Sequence, residues 1–150
     1  MKFRISLILT LIAMAASSAV SAHDHDKGCT DSTIKGTYAF TVHGQILTPN
    51  GPIPIEGLAK TTFDGNGNLT QVDTIAENGN VSVIWRPGTG TYTVNSDCTG
   101  TMTVNDQDLP PLHLTILVSQ SGNHIRTVVT DPGFSTTSEA DRVSVSNDRD

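Results

Sequence analysis

From Gly36 onward the chain alternates between apolar and polar residues, and no stretch of ten residues keeps the apolar spacing of a helix. Tyr38, Phe40 and Val42 share one parity and therefore one face of a strand. Every second residue from 112 to 118 is Leu, Ile or Val, which makes the longest one-sided run. Because successive strand residues point to opposite faces of a sheet, this pattern predicts an all-β domain of short, half-buried strands.

Turn residues separate the alternating runs. Segments 64–68 (Asp-Gly-Asn-Gly-Asn) and 78–80 (Asn-Gly-Asn) are strong hairpin signals, since Gly and Asn adopt the positive φ that tight turns require. The runs between the turns predict an antiparallel up-and-down barrel of eight or nine strands, with a β-sandwich as the alternative. The predicted strands are 36–47, 55–64, 68–76, 80–86, 90–95, 98–105, 111–119, 123–130 and 140–146.

Prolines and threonines predict features of the loops and of the outer face. Pro49, Pro52 and Pro54 predict one long loop, which would form a flap over the barrel mouth. Threonine is abundant in the predicted strands, and we expect it at their solvent-facing positions.

The N-terminal segment has the order of a secretory signal peptide. A basic start precedes a mostly apolar stretch, 5–16, and a run of small residues, 17–22. A membrane anchor is the alternative, but about 12 apolar residues are fewer than the roughly 20 needed to span a bilayer. Val20 and Ala22 fit the small-residue rule for cleavage before His23. The sequence thus predicts a signal peptide (1–22), a flexible tail (23–28) and a single barrel domain (29–150) in a secreted or periplasmic protein.

Charge and length restrict the partners of this chain. Its 150 residues allow one domain. Cleavage before His23 removes Lys2 and Arg4 but no acid, so the product is two units more negative than the −6 of the full chain. We therefore expect no nucleic-acid partner, because such binding requires a basic surface. We also expect no membrane insertion after signal cleavage, since no later segment is apolar for long enough. The oligomeric state is left open.

Cys29 and Cys98 are the two cysteines of the chain. In an oxidising compartment an even number predicts a disulfide, and two cysteines permit only one intramolecular pairing. A redox or metal-binding thiol is the alternative, but the sequence has no CxxC motif and no histidine beside either cysteine. The sequence therefore favours a structural disulfide that joins the N-terminal segment to the middle of the chain.

Four short motifs carry a resemblance to known proteins. Segments 35–38, 63–68, 88–94 and 97–100 read Lys-Gly-Thr-Tyr, Phe-Asp-Gly-Asn-Gly-Asn, Gly-Thr-Gly-Thr-Tyr-Thr-Val and Asp-Cys-Thr-Gly. The series resembles small secreted bacterial proteins of no assigned function and, more distantly, the allene oxide cyclase and dirigent barrels of the calycin-like group, which includes the lipocalins. The likeness implies a calycin-like barrel rather than an activity. Where lipocalins have Gly-x-Trp, Tyr38 stands at the Trp position.

An eight-stranded barrel has an interior that is either filled by side chains or holds one small ligand. The apolar residues at alternate strand positions therefore have two interpretations. They line an aromatic cavity for a small hydrophobic molecule, or they form the packed core of a small domain. The residues predicted to face the interior are Tyr38, Phe40, Phe63, Trp85, Tyr92, Met102 and Leu114.

The remaining polar residues predict no catalytic centre. His43, His113 and His124 fall on the polar faces of their strands, where exposed or hydrogen-bonded side chains are expected. No Gly-x-Ser-x-Gly motif surrounds a serine, and no Gly-rich loop leads from a strand into a helix. The acidic patches at 106–108 and 147–150 lack the spacing of a calcium loop.

His23 and His25 differ from the other histidines because they open the expected mature chain as His-Asp-His. The α-amine, two backbone amides and the ring of His25 can provide four nitrogen donors in a square plane, which suits Cu(II) or Ni(II). No cofactor is required, and Cu(II) at the mature N-terminus is the candidate metal. In an alternative arrangement the amine and ring of His23 act with a distant histidine such as His43 or His124. A solvated tail without a metal is the other alternative.

The sequence favours an exported, disulfide-linked barrel without enzymatic activity, which binds a small hydrophobic ligand or serves as a surface interaction module. One alternative is a cyclase or isomerase similar to allene oxide cyclase, which could act by holding a reactive substrate in one conformation. Another is an extracytoplasmic copper-binding protein. A cavity with a polar group inside it would favour the ligand and cyclase interpretations over an interaction module.

Overall fold

The computed structural model describes residues 28–107 and 109–143. Within these ranges the chain forms β-strands and two short 3₁₀ segments, Asp31–Ile34 and Gln120–Gly122, which confirms the predicted all-β class. No helix in this part of the chain is long and apolar enough to cross a membrane. The strands are β1 (Gly36–Thr48), β2 (Gly51–Phe63), β3 (Asn68–Glu77), β4 (Asn80–Val81), β5 (Arg86–Val94), β6 (Thr99–Asp106), β7 (Leu112–Ser119), β8 (His124–Val129) and β9 (Phe134–Arg142).

Eight strands close into an antiparallel up-and-down barrel, as predicted, and β4 is a short additional strand beside β3. Neighbours in the barrel follow the chain order, with β3 pairing directly with β5 and β9 returning to β1. β1 begins at the end that carries the 3₁₀ segments, which we call the closed end. The opposite end carries residues 49–50, 78–85, 109–111 and 130–133, and we call it the open end.

Several strands differ in their bounds from the prediction. Predicted strand 80–86 shrinks to Asn80–Val81, and β5 begins at Arg86 rather than at 90. Trp85, directly before β5, has a positive φ of 54°, which interrupts the alternation there. The last strand begins at Phe134 rather than at 140. Its inward residues Thr136 and Ser138 are buried but polar, so the segment carries no hydrophobic alternation for the sequence to show.

The predicted proline loop is also wrong. Pro52 and Pro54 lie within β2, and only residues 49–50 separate β1 from β2. The two strands form a hairpin whose tip extends beyond β3, because the pairing of β2 with β3 stops at Ile55. The Pro54 carbonyl accepts a hydrogen bond from the Asn78 N–H, so Pro54, and Pro52 with the same parity, turn their backbone away from β1. The missing proline N–H groups therefore cost no bond of the β1–β2 ladder.

Aromatic side chains fill the closed end. The ring of Phe63 meets those of Tyr38 and Tyr92 edge to face, with centroids 5.5 and 4.9 Å apart. Ile34 is fully buried in the same cluster. Burial raises the pKa of Tyr38 to about 12, so its hydroxyl stays protonated and donates to the Gly122 carbonyl. This half of the barrel is a packed core.

The predicted disulfide is confirmed. Cys29 and Cys98 are bonded across a sequence separation of 69 residues, with Cα atoms 4.9 Å apart. The bond ties the segment before Asp31–Ile34 to the turn between β5 and β6. Asp31 reinforces this attachment, because its Oδ1 accepts a hydrogen bond from the Val94 N–H at 2.6 Å. The first 3₁₀ segment is thereby held across the closed end of the barrel.

Arg142, at the end of β9, joins both 3₁₀ segments to the barrel. Its guanidinium donates to the carbonyls of Lys35, Thr33 and Gly122, at 3.0 Å for Thr33 and 2.9 Å for Gly122. The same group lies 4.9 Å from the centroid of the Tyr38 ring, in a cation–π arrangement. One side chain thus supplies donors to three carbonyl groups in and beside the two short segments.

We expect Arg142→Ala to lower the free energy of unfolding by about 2 to 3 kcal/mol, because several charge-assisted hydrogen bonds are lost together. Urea unfolding followed by circular dichroism measures the change. Arg126→Ala is the matched control, since Arg126 makes one exposed pair with Glu139, and we expect it to change stability by less than about 1 kcal/mol. Equal effects of the two variants would contradict the assigned role of Arg142.

Candidate ligand-binding site

A cavity of about 420 Å³ lies in the open half of the barrel. Its volume falls in the range of roughly 300–1,000 Å³ that is typical of small-molecule sites. All eight barrel strands contribute side chains to its wall, and most of these side chains are apolar. Val83, Leu109 and Pro110 of the open-end segments border it.

Strand register brings polar side chains together on one wall of this cavity. The β3–β5 pairing sets Asp73 opposite Arg86. It also sets Gln71 opposite Gly88, and the β5–β6 pairing sets Gly88 opposite Asp106. Because residues directly opposite on neighbouring strands share a face, these side chains converge inside the barrel. We call Gln71, Asp73, Arg86 and Asp106 the polar cluster.

One guanidinium bridges two carboxylates in the polar cluster. Arg86 Nη2 lies 3.1 Å from Asp73 Oδ2 and 3.2 Å from Asp106 Oδ2. Gln71 Nε2 donates to Asp73 Oδ2 at 3.2 Å and to Asp106 Oδ1 at 3.4 Å. The side chains of Asp73 and Asp106 are only 6% and 10% exposed. With both carboxylates ionised, the cluster carries one unit of uncompensated negative charge.

Gly88 has no side chain, and the polar cluster occupies the space that a side chain would take. A Cβ atom at this position would lie 2.3 Å from Asp106 Oδ1 and 3.2 Å from the Cγ of Gln71. Any larger residue would therefore displace the Asp106 carboxylate from Arg86. The close packing of the polar cluster therefore depends on a glycine at position 88.

Burial, together with the facing carboxylate of Asp73, raises the pKa of Asp106. The positive charge of Arg86 and the hydrogen bond from Gln71 offset this rise only in part. When protonated, Asp106 can donate a hydrogen bond to Asp73, whereas the ionised form faces a like charge. Burial and the neighbouring charges of Asp73 and Arg86 therefore set the protonation of Asp106.

Three polar atoms at the cavity wall are buried without a hydrogen-bond partner among the residues that the structure describes. These atoms are Asp73 Oδ1, Arg86 Nε and Thr136 Oγ1. An unpaired buried polar atom costs about 1 to 3 kcal/mol, so such atoms are rare away from sites that receive a ligand or water. These atoms belong to side chains that line the cavity, and a ligand that reached them would meet one acceptor, one donor and one hydroxyl without partners among the described residues.

No protein-family model, curated protein or solved structure matches the chain. The resemblance to the allene oxide cyclase and dirigent group stays a prediction.

The structure divides the residues that were predicted to face the interior. Phe40, Met102 and Leu114 are buried and line the cavity. The other three buried members of that set are aromatic and fill the closed end, where the cavity does not extend: Tyr38, Phe63 and Tyr92.

Trp85 is the one member of the set that was placed wrongly. It is 53% exposed and lies on the outer face beside Leu58 and Ile84. Its positive φ and the hydrogen bond from its backbone N–H to Thr74 Oγ1, at 2.9 Å, reverse the parity of the segment. The side chain therefore points away from the barrel.

The expectation that strand threonines face solvent is wrong at Thr61 and Thr127, which are buried and point into the barrel. Thr136, which lies outside the predicted strands, is buried as well. The hydroxyl of Thr127 is hydrogen-bonded to that of Ser138 at 2.7 Å. These two hydroxyl groups therefore form a polar pair on the inner face where β8 meets β9.

The three strand histidines each pair with a carboxylate. The Nδ1 atoms of His113 and His124 lie 2.9 Å from Asp131 and Asp141, and the Nδ1 atom of His43 lies 3.5 Å from Glu56. In the described ranges no three His, Cys, Asp or Glu side chains are arranged to hold a metal ion. His23 and His25, and with them the predicted copper site and signal peptide, lie outside the residues that the structure describes.

Sequence reasoning missed the polar cluster. Asp73 and Gln71 share the parity of Leu69, which is buried, so the alternation in β3 did indicate that they face inward. Asp106 was assigned to an acidic patch and Arg86 to the end of a strand. Their convergence depends on the pairing of β3, β5 and β6, which the sequence does not specify.

Proposed function

We propose that the barrel binds one small, mostly apolar molecule in its cavity. The observation that carries this proposal is an apolar cavity with a polar cluster on one wall, in which buried polar atoms lack partners. A packed core needs neither the space nor the cluster, because a buried charged group is costly unless it is fully paired. The combination is typical of small-molecule sites.

The ligand would use both kinds of wall. Its apolar body would pack against Phe40, Met102 and Leu114, each Å² of buried apolar surface contributing about 25 cal/mol. A polar atom of the ligand would pair with Asp73 Oδ1 or Arg86 Nε and so remove the cost of an unpaired buried group. The polar cluster would thereby fix the orientation of the ligand.

A second candidate is an enzyme of the cyclase or isomerase type that acts on a molecule bound in the same cavity. The observation that favours it is the raised pKa of Asp106, since a buried carboxyl group with a raised pKa is suited to exchange a proton with a molecule bound in an apolar site. An enzyme converts the molecule, whereas a binder releases it unchanged. Intact-mass measurement under native conditions, followed by chromatography of the released ligand after incubation, distinguishes the two. A ligand recovered unchanged contradicts the enzymatic candidate.

We further propose that the protein works outside the cytoplasm. The Cys29–Cys98 bond supports this location, because structural disulfides persist in oxidising compartments. The intact mass of the protein purified from its own cells tests the proposal: export predicts loss of residues 1–22 and of two hydrogens. Retention of residues 1–22 would contradict it.

We expect Val129→Phe to weaken binding of the neutral apolar fluorophore N-phenyl-1-naphthylamine by about tenfold, because the larger ring fills part of the cavity. Val129 lines the cavity, while its neighbour Val128 is exposed on the outer face of β8. Val128→Phe is therefore the matched control and should leave the affinity nearly unchanged. Fluorescence titration measures both, and thermal melting confirms that both variants fold. The proposal fails if the unmodified chain shows no saturable binding, or if the two variants behave alike.

A further inference from the structure

We propose that the cavity selects apolar molecules that carry one protonated amine. This inference rests on the proposed function, because it names the class of ligand for the same cavity. Three observations carry it: the charge of the wall, an unpartnered carboxylate oxygen, and the way in which the Arg86 guanidinium is already engaged.

Negative charge dominates the cavity wall. The charged side chains that line it in the described ranges comprise one guanidinium, Arg86, and four carboxylates: Asp73, Glu77, Asp106 and Asp131. Asp131 has a partial partner in His113, whose Nδ1 lies 2.9 Å away and whose ring is half exposed. Charges of one sign in a cleft with low-dielectric walls attract the opposite charge. A cation entering this barrel is therefore favoured over an anion.

Asp73 supplies the acceptor for such a cation. Its side chain is buried and lines the cavity, and its Oδ2 accepts hydrogen bonds from Arg86 and Gln71. Its Oδ1 has no partner within residues 28–107 and 109–143. An ammonium group has three donors and no acceptor, so it can donate to Oδ1 and brings no lone pair to face the carboxylates.

The engagement of Arg86 excludes an acidic ligand. Its Nη2 already bridges Asp73 and Asp106, so two negative charges share one positive charge. A ligand carboxylate that approached Arg86 Nε would place a third negative charge beside the first two. A hydroxyl group would complete a hydrogen bond but would leave the net negative charge of Asp73, Asp106 and Arg86 uncompensated. An ammonium group both completes a hydrogen bond and compensates that charge.

Three probes with one apolar body test this inference on the purified chain with its disulfide intact. They are 1-adamantylamine, 1-adamantanol and 1-adamantanecarboxylate, each titrated calorimetrically at neutral pH. We expect the amine to bind at least about tenfold more tightly than the alcohol, and the carboxylate to bind most weakly. If the alcohol or the carboxylate binds as tightly as the amine, the inference is overturned while the proposed function stands. If the amine does not bind, the inference is also overturned, and N-phenyl-1-naphthylamine then decides whether the proposed function fails with it.

Paired variants locate the effect. Asp73→Asn keeps the shape of the side chain and removes its charge, so we expect it to weaken binding of the amine by about tenfold and to change binding of the alcohol little. Glu139→Gln is the matched control. It also removes one negative charge, but from the outer face, where Glu139 is exposed and pairs with Arg126. Should Asp73→Asn fail to fold, Asp106→Asn replaces it. Equal losses for Asp73→Asn and Glu139→Gln would overturn the inference, since they would mean that the amine senses only the net charge of the protein.

Discussion

Replacing both cysteines, in Cys29→Ser with Cys98→Ser, is expected to lower the free energy of unfolding by about 4 kcal/mol. The disulfide joins positions 69 residues apart, so its removal frees a long loop in the unfolded chain. It also releases the attachment of the first 3₁₀ segment, whose Ile34 is fully buried in the closed end. Since a small domain has a total stability of only about 5 to 15 kcal/mol, this is a large part of the whole.

Urea unfolding of the oxidised chain, the reduced chain and the double variant measures the effect. The reduced chain and the double variant should agree, because both lack the bond. A loss below about 1 kcal/mol would show that Asp31 and the contacts around it suffice to hold the segment. Because the disulfide lies at the end opposite the cavity, the folded double variant should bind N-phenyl-1-naphthylamine as the unmodified chain does.

Arg86→Met is expected to lower the free energy of unfolding by about 3 to 5 kcal/mol at pH 8, because it leaves two buried carboxylates without their shared cation. Asp73 and Asp106 both lie within 3.2 Å of the Arg86 Nη2 atom. Methionine keeps much of the volume of the aliphatic part of arginine, so lost packing contributes little to the difference.

The loss should shrink as the pH falls. Removing Arg86 takes away the charge that opposes the rise in the Asp106 pKa, so the pKa of Asp106 should rise further in the variant. A carboxyl group whose pKa is raised in the folded state stabilises that state below its unfolded pKa, and this advantage disappears as the pH rises through the folded pKa. The variant should therefore recover part of its stability between pH 8 and pH 5, as Asp106 becomes protonated and can donate to Asp73.

Two controls isolate this effect. Asp64, Asp97 and Asp131 accept hydrogen bonds that lower their pKa values below 3.8, so the stability they contribute is lost only at still lower pH. The window from pH 8 to pH 5 avoids that loss. Arg126→Met removes an exposed partner of Glu139 and should cost less than about 1 kcal/mol, with no dependence on pH. A loss from Arg86→Met that is the same at pH 5 and pH 8 would contradict the assigned charge balance.

Local patterns were enough to predict the barrel, but not the chemistry of its interior. The alternation around Phe40 and the turn at 64–68 are properties of short segments, so the sequence alone showed them. The two cysteines allowed only one pairing. Asp73 and Asp106, by contrast, are 33 positions apart in the chain and meet only because β5, with Gly88, lies between β3 and β6.

Trp85 and Thr136 illustrate two further reasons why the structure differs from the prediction made from the sequence. A single residue with positive φ moved Trp85 from the inner to the outer face, and no neighbouring residue type marked that change. Thr136 falls between the predicted strands 123–130 and 140–146 because residues 135–139 are all polar, yet it belongs to β9, whose partners β1 and β8 complete the ladder on both sides. A polar residue inside a barrel looks like an outer residue until the register is known.

The hairpin of β1 and β2 also bears on how the protein behaves when concentrated. Beyond Pro54, whose carbonyl accepts the Asn78 N–H, its outer side has no partner strand among the described residues, and such an edge is the kind of surface on which chains polymerise by adding strands to one another. Pro52 and Pro54 occupy the two positions whose backbone faces that side, so the edge presents the Pro52 carbonyl but no N–H group at either position. A strand from another molecule would find no donors there for a continuous ladder. The prolines thus oppose fibril formation without disrupting the hydrogen bonds of the barrel itself.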